Sequence, residues 1–232
     1  SNRNPISYGY NVMNDLFFLC PGAAKSGTST LHEILVRHPQ LCLPRCKETS
    51  FFKDDAMYAH GKPCYENSFF GNCADSQFRG EVNPSYFVRP EVPARIAEMY
   101  GERVKVIVLL SHPLERAHSH YMMDVRKGRE TRGFDEVIWD QKSNPYIEGS
   151  LYAKYLAAYL QSFGRENLKI FVFEEFFRDS ASLARSMDEI YDFLQVRREK
   201  PNFLAKANPA SQVRIAAVNR FLHSDSSLKR AA

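Results

Sequence analysis

Short, uniformly apolar runs alternate along the chain with segments whose apolar residues recur every three or four positions. Leu16-Phe17-Phe18-Leu19-Cys20 is apolar throughout, the pattern of a strand covered on both faces. After a glycine-containing turn, Leu31, Ile34 and Leu35 recur at helical spacing until His38-Pro39 stops them. Val104 to Leu110 repeats the strand pattern, and Leu114, Ala117, His118, Tyr121 and Val125 then predict a helix opening at Pro113. Proline suits that first turn, because the N–H it lacks would have no partner there. Tyr152, Tyr155, Leu156, Tyr159 and Phe163 predict a third helix with its tyrosines in the core. Leu168 to Phe173 predicts a third strand, and Leu183, Met187, Ile190 and Leu194 a last helix. Strand and helix patterns in alternation imply an α/β fold, one domain over residues 1–232, with a central, mostly parallel sheet flanked by helices. In such sheets ligands bind beyond the carboxyl ends of the strands.

Composition narrows the classes further. At 232 residues and 26.7 kDa the length suits one domain. With 44% hydrophobic and 25% charged residues the chain is too apolar for disorder. Its longest apolar runs, about five residues, fall far short of the roughly 20 of a membrane span, and no secretory signal stands out. Lys and Arg (31) outnumber Asp and Glu (27) for a net charge of +4 with no polybasic run. That balance fits a small anionic ligand, not a nucleic acid. The five cysteines contain no CxxC pair, which argues against a zinc framework. Cys64 and Cys73 bracket a loop-like stretch and are the pair expected in an oxidising compartment, while Cys20 reads as a buried free thiol. On balance the cysteines lean towards a reducing, cytoplasmic setting, with the Golgi lumen as the alternative if a membrane anchor lies outside this sequence.

The first strand-to-helix turn, Pro21-Gly22-Ala23-Ala24-Lys25-Ser26-Gly27-Thr28-Ser29-Thr30, carries the most informative chemistry. Small residues let the backbone approach a ligand, and the N–H groups and dipole at a helix start favour an anion. A nucleotide-kinase loop would read GxxxxGK[ST]; here Lys25 precedes Ser26-Gly27-Thr28, so the order excludes a standard P-loop NTPase.

Further motifs accompany it: His38-Pro39, Lys47-Glu48-Thr49-Ser50-Phe51-Phe52, Gly80-Glu81-Val82-Asn83-Pro84-Ser85-Tyr86-Phe87 and His112-Pro113-Leu114-Glu115-Arg116-Ala117-His118-Ser119-His120-Tyr121. In this order and spacing they resemble the sulfotransferase superfamily, most of all the branch of heparan sulfate and related carbohydrate sulfotransferases and their bacterial relatives. A looser likeness continues through Gly149-Ser150-Leu151-Tyr152, Phe173-Glu174-Glu175 and Asn208-Pro209-Ala210-Ser211. The resemblance implies a P-loop-like fold that uses 3′-phosphoadenosine 5′-phosphosulfate (PAPS), releases adenosine 3′,5′-bisphosphate (PAP) and needs no metal. The sulfuryl group would pass to a hydroxyl or amine of a carbohydrate or small-molecule acceptor; the mild charge balance leaves no nucleic-acid partner expected, and the short apolar runs no membrane span in this chain. It assigns Lys25 to the departing phosphate, Lys25, Ser26, Gly27, Thr28, Ser29 and Thr30 to cofactor binding, Ser119 to the 3′-phosphate and Glu48 to the role of base. The rival reading is a sulfotransferase-like protein of weak activity that binds nucleotide for recognition.

Three departures qualify the likeness. Ser111 stands where the family usually carries an arginine for the 3′-phosphate. Glu81-Val82-Asn83 replaces the Glu-Lys-Ser of the heparan sulfate branch. Family chains usually continue beyond the Asn-Pro-Ala-Ser region with a further helical segment, so an end at Lys229-Arg230-Ala231-Ala232 is expected to be short of the family's full length. Other features carry less: His118 and His120, two apart on a helix, face different sides and make a poor metal pair with His112, and Arg126, Lys127, Arg129 and Arg132 read as a solvated face.

Overall fold

The apolar runs lie side by side in one sheet whose strands all point the same way. The computed structural model describes residues 17–74, 77–140 and 144–200. Its strands are β1 (Phe17–Gly22), β2 (Leu41–Cys42), β3 (Phe78–Val82), β4 (Lys105–Leu110) and β5 (Leu168–Val172), in the order β2-β3-β1-β4-β5 with every pairing parallel. The helices are α1 (Thr28–Leu35), α2 (Asp55–Tyr58), α3 (Gly61–Phe70), α4 (Glu91–Tyr100), α5 (Pro113–Arg126), α6 (Phe134–Ile138), α7 (Pro145–Glu148), α8 (Tyr152–Phe163), α9 (Phe173–Phe176) and α10 (Ser180–Leu194).

Alternation along the strands divides the core. Phe17 and Leu19 of β1 and Val106 and Val108 of β4 pack with Phe70, Ile96, Tyr155 and Tyr159 from α3, α4 and α8. Their neighbours Phe18, Cys20, Ile107 and Leu109 face the other way, onto Leu31, Leu35, Met187 and Ile190 of α1 and α10. A strand buried on both faces has no polar position to spare, which is why β1 and β4 were readable as continuous apolar runs. Strand β3, Phe78-Arg79-Gly80-Glu81-Val82, hides that signal with two charges and a glycine. Gly80 is required there, since a Cβ would lie 2.2 Å from the ring of Phe18 on the adjacent strand.

The structure corrects the cysteine pairing. Cys73 is joined to Cys42 at the end of β2, with Cα atoms 5.9 Å apart, and not to Cys64, which is free and exposed. The two partners are 31 residues apart, too distant for a local loop reading to find. Cys20 is a buried free thiol, and burial pushes it up to about 12. The helix over the tyrosine stripe also needs one adjustment: Tyr155 and Tyr159 are core, whereas Tyr152 is half-buried and spends its hydroxyl on the carbonyl of Ser111 at 2.8 Å. Among the described residues no helix is long and apolar enough to cross a membrane. Leu16, the Asn208-Pro209-Ala210-Ser211 motif and the C-terminal end lie outside the described residues.

Alkylation of the folded, non-reduced protein should label Cys46 and Cys64, leave Cys20 unlabelled until denaturation, and yield a linked Cys42–Cys73 peptide on digestion. Reduction should cost about 3 to 4 kcal/mol of stability by the loop-closure argument. A linked Cys64–Cys73 peptide would contradict this pairing.

Candidate functional site

Parallel strands put every strand-to-helix loop on one edge, and the motif loops meet there. The turn after β1 is anchored by the Ala23 N–H to the carbonyl of Leu109, 2.7 Å, which ties it to β4. Ser26 N–H closes back onto the carbonyl of Ala23 at 3.2 Å. Lys25 and Gly27 both adopt left-handed backbone, φ 73° and 88°. Gly27 precedes α1 and sits under the rings of Phe173 and Phe177, where a Cβ would come within 2.5 Å of Phe177. Leu31 N–H makes the bond to the carbonyl of Gly27, so the N–H groups of Thr28, Ser29 and Thr30 belong to the open first turn. No acidic residue occupies that turn, and the local field there favours an anion.

Beside the turn, the buried hydroxyls of Ser26 and Ser111 are 3.0 Å apart, joining the β1 loop to the end of β4. Glu174 on α9 accepts from the N–H of His112 at 2.9 Å, closing the start of α5 against β5. Arg116, only 2% exposed, donates through Nε to the Ser150 hydroxyl at 2.6 Å and through its terminal nitrogen to the carbonyl of Tyr146. A Cβ at Gly149 would meet its guanidinium at 2.9 Å, so that glycine is needed for the close approach. Among the described residues no carboxylate forms an ion pair with Arg116, and burial lowers its proton affinity. A cation so placed, held only by neutral acceptors, is costly unless an anion comes near. Ser119, buried, lies three residues further along α5.

On the other side of α1, Lys47 links the turn to the Glu48 segment. Its ammonium donates to the Ser29 hydroxyl at 2.8 Å and pairs with the Glu48 carboxylate at 3.3 Å. Glu48 is exposed and Lys47 half-buried, so Glu48 is both the surface partner of Lys47 and a group one side chain away from the anion cradle. Glu48 and Ser50 both have φ 65°, a strained state for residues other than glycine that costs of order 1 to 3 kcal/mol each. Nearby, burial depresses His32.

The sulfotransferase domain family matches residues 17–212. The chain belongs to the sulfotransferase family. It is 31% identical over 184 residues to mouse heparan sulfate glucosamine 3-O-sulfotransferase 3A1, covering 76% of this chain and 45% of that protein. It is likewise 31% identical over 186 residues to human heparan sulfate glucosamine 3-O-sulfotransferase 6, covering 78% and 52%. The chain thus spans about half the length of the curated relatives it matches. A bacterial sulfotransferase from Alicyclobacillus acidocaldarius superposes with a TM-score of 0.69 at 28% identity, over 92% of this chain and 98% of that one. Mouse sulfotransferase SULT7A1, solved with PAP, superposes at 0.51 with 15% identity over 92% and 66%, a likeness of fold alone.

Within this sulfotransferase domain the structure brings Lys25, Ser26, Gly27, Thr28, Ser29 and Thr30 into one turn and sets Glu48 beside it through Lys47. His118 and His120 go to separate neighbours, His118 against Phe134 with ring centres 4.9 Å apart and His120 against Tyr146 at 5.0 Å. Burial lowers both histidines, and the charges of Arg116 and Lys25 add to the effect at His120. Among the described residues no group of three or more potential ligands is placed to hold a metal ion. The basic stretch is a solvated face: Arg132 pairs with Glu130 and Asp140, and Arg129 with Asp124. Sequence reasoning missed Tyr152 and Lys47 as parts of the site. Tyr152 looked like one more member of a core stripe, and a lysine before a glutamate is the commonest surface pattern.

Proposed function

We propose that this chain is a sulfotransferase that moves the sulfuryl group of PAPS to a hydroxyl or amine of a carbohydrate or small-molecule acceptor by in-line displacement. The observation that carries the reading is the cradle itself. An open first helical turn, a lysine in left-handed backbone and a buried arginine with no carboxylate partner among the described residues converge on one sheet edge in a chain of this family. Bound there, PAPS would supply the activated sulfuryl group and a phosphate leaving group.

The residues divide the work. The open N–H groups of Thr28, Ser29 and Thr30, with the small residues Ser26 and Gly27 shaping the turn, would hold the 5′-phosphate and sulfonate end without a shell of water to reorganise. The ammonium of Lys25 would stabilise the charge that builds on the departing phosphate, and Lys47, already bound to Ser29, adds a second positive charge to the same turn. Glu48 accepts the acceptor's proton as its oxygen or nitrogen attacks. Ser119, with the fixed positive charge of Arg116 one turn away, would hold the 3′-phosphate in place of the arginine that Ser111 replaces. A neutral hydroxyl contributes less to a phosphate than a guanidinium does, so Ser111 favours a blunted preference for the 3′-phosphate. That residue also favours the second reading, a nucleotide-binding recognition protein. PAP binding without transfer to any member of a panel of amino-sugar, hydroxyl and phenol acceptors would establish that second reading. The Cys42–Cys73 bridge favours an oxidising compartment, such as the Golgi lumen, over the cytoplasm. The names of the heparan sulfate relatives favour a glycan acceptor, although Val82 is buried in the core and cannot supply the acceptor-side lysine of that branch.

Lys25→Ala should lower turnover by at least about a hundredfold, the scale of one lost transition-state contact, with a smaller loss of PAP affinity by calorimetry. Turnover within a few-fold of the parent would remove Lys25 from the leaving-group role.

Glu48→Gln should lower turnover by about 10² to 10⁴, the range of a general base, and leave PAP binding intact. A fully active glutamine variant would move the base elsewhere.

A further inference from the structure

We propose that Glu81 is a positioning residue for sulfuryl transfer, fixing the Glu48 turn through both the N–H and the hydroxyl of Thr49. The inference rests on the reading of Glu48 as base. Glu81 closes β3 at the same sheet edge as the anion cradle and is 1% exposed. One of its oxygens, Oε1, accepts from the Thr49 N–H at 3.0 Å, the Thr49 hydroxyl at 2.8 Å and the Asn83 amide at 2.9 Å. The other, Oε2, accepts from the Tyr65 hydroxyl at 2.6 Å, with the Tyr86 hydroxyl at 3.4 Å. Both oxygens of the carboxyl group are thus held by Thr49, Asn83, Tyr65 and Tyr86. Burial raises its proton affinity, and the bonds from Tyr65, Asn83 and Thr49 oppose that rise.

Thr49 is where the network reaches the chemistry. It lies between the two left-handed residues Glu48 and Ser50, and its hydroxyl also accepts the N–H of Phe51 at 3.3 Å. The Tyr86 hydroxyl accepts the N–H of Phe52 at 3.2 Å, so the segment from Thr49 to Phe52 hangs on a buried carboxylate and its hydroxyl partners. Glu48 itself is exposed, and among the described residues its side-chain ion partner is Lys47. Its direction is therefore set by its backbone, and its backbone is set by Thr49 on Glu81. A displacement of about 1 Å in a reacting group can cost as much as a hundredfold in rate.

The test is a double-mutant cycle read by single-turnover kinetics, PAP calorimetry and thermal unfolding. Thr49→Val removes the hydroxyl at nearly constant shape and should lower kcat by about ten- to a hundredfold, with PAP affinity and KM for PAPS unchanged. Thr49→Ser should restore most of the rate. In a Glu48→Gln background, Thr49→Val should cost nothing further, because the group it aims is gone. Should Thr49→Val fail to fold, Tyr65→Phe takes its place in the cycle, with a few-fold loss expected that likewise vanishes in the Glu48→Gln background. Parental turnover of Thr49→Val, or the same fold-loss with and without Glu48, would overturn the positioning role. Parental turnover of Glu48→Gln alone would instead overturn the base assignment on which it rests.

Discussion

The shared direction of five strands is the constraint on which the rest of this molecule depends. Because β1 lies between β3 and β4 with parallel pairing on both sides, the segments that leave their carboxyl ends emerge together. Lys25, Glu81 and Ser111 are far apart in sequence, yet all three lie at or just beyond the carboxyl ends of adjacent parallel strands. An antiparallel neighbour would have sent one of these loops to the opposite edge. The cross-links between loops then refine what the sheet supplies: Ala23 to Leu109, Ser26 to Ser111, Lys47 to Ser29, Glu174 to His112.

Charge is arranged around that edge by depth. Arg116 is buried and held by neutral groups, so its field is weakly screened. Lys47 and Glu48 lie nearer water, where an ion pair contributes little to stability and can be exchanged for a ligand at low cost. A buried, fixed cation and a replaceable surface pair are what the proposed transfer requires, an anion held first and a carboxylate then exposed to the acceptor. Glu81 is the counterpart of Arg116, a buried carboxyl group held by Thr49, Asn83, Tyr65 and Tyr86.

What the sequence disclosed follows from which signals are local. β1, β4, α1, α5, α8 and α10 were legible because a two-sided burial or a helical stripe is written in consecutive residues. β3 was not, since Arg79, Gly80 and Glu81 are explained only by Glu66, Phe18 and Thr49, all distant in the chain. The same limit accounts for the Cys42–Cys73 pair, which depends on β2 lying beside β3. The motif residues of the site were visible one by one, but the bridges Lys47–Ser29 and Tyr152–Ser111 required the fold.

The central claim is that this edge binds PAPS and not a nucleoside triphosphate. The direct measurement is thermal unfolding with PAP, with AMP and with ATP plus magnesium at equal concentrations. At a hundred times its dissociation constant a ligand adds about 2.7 kcal/mol of stability, which is roughly 5 to 10 °C for a domain of this size. The account predicts that PAP gives a rise on that scale, AMP a smaller one and ATP with magnesium the least. A larger rise with ATP and magnesium, or none with PAP, would contradict it.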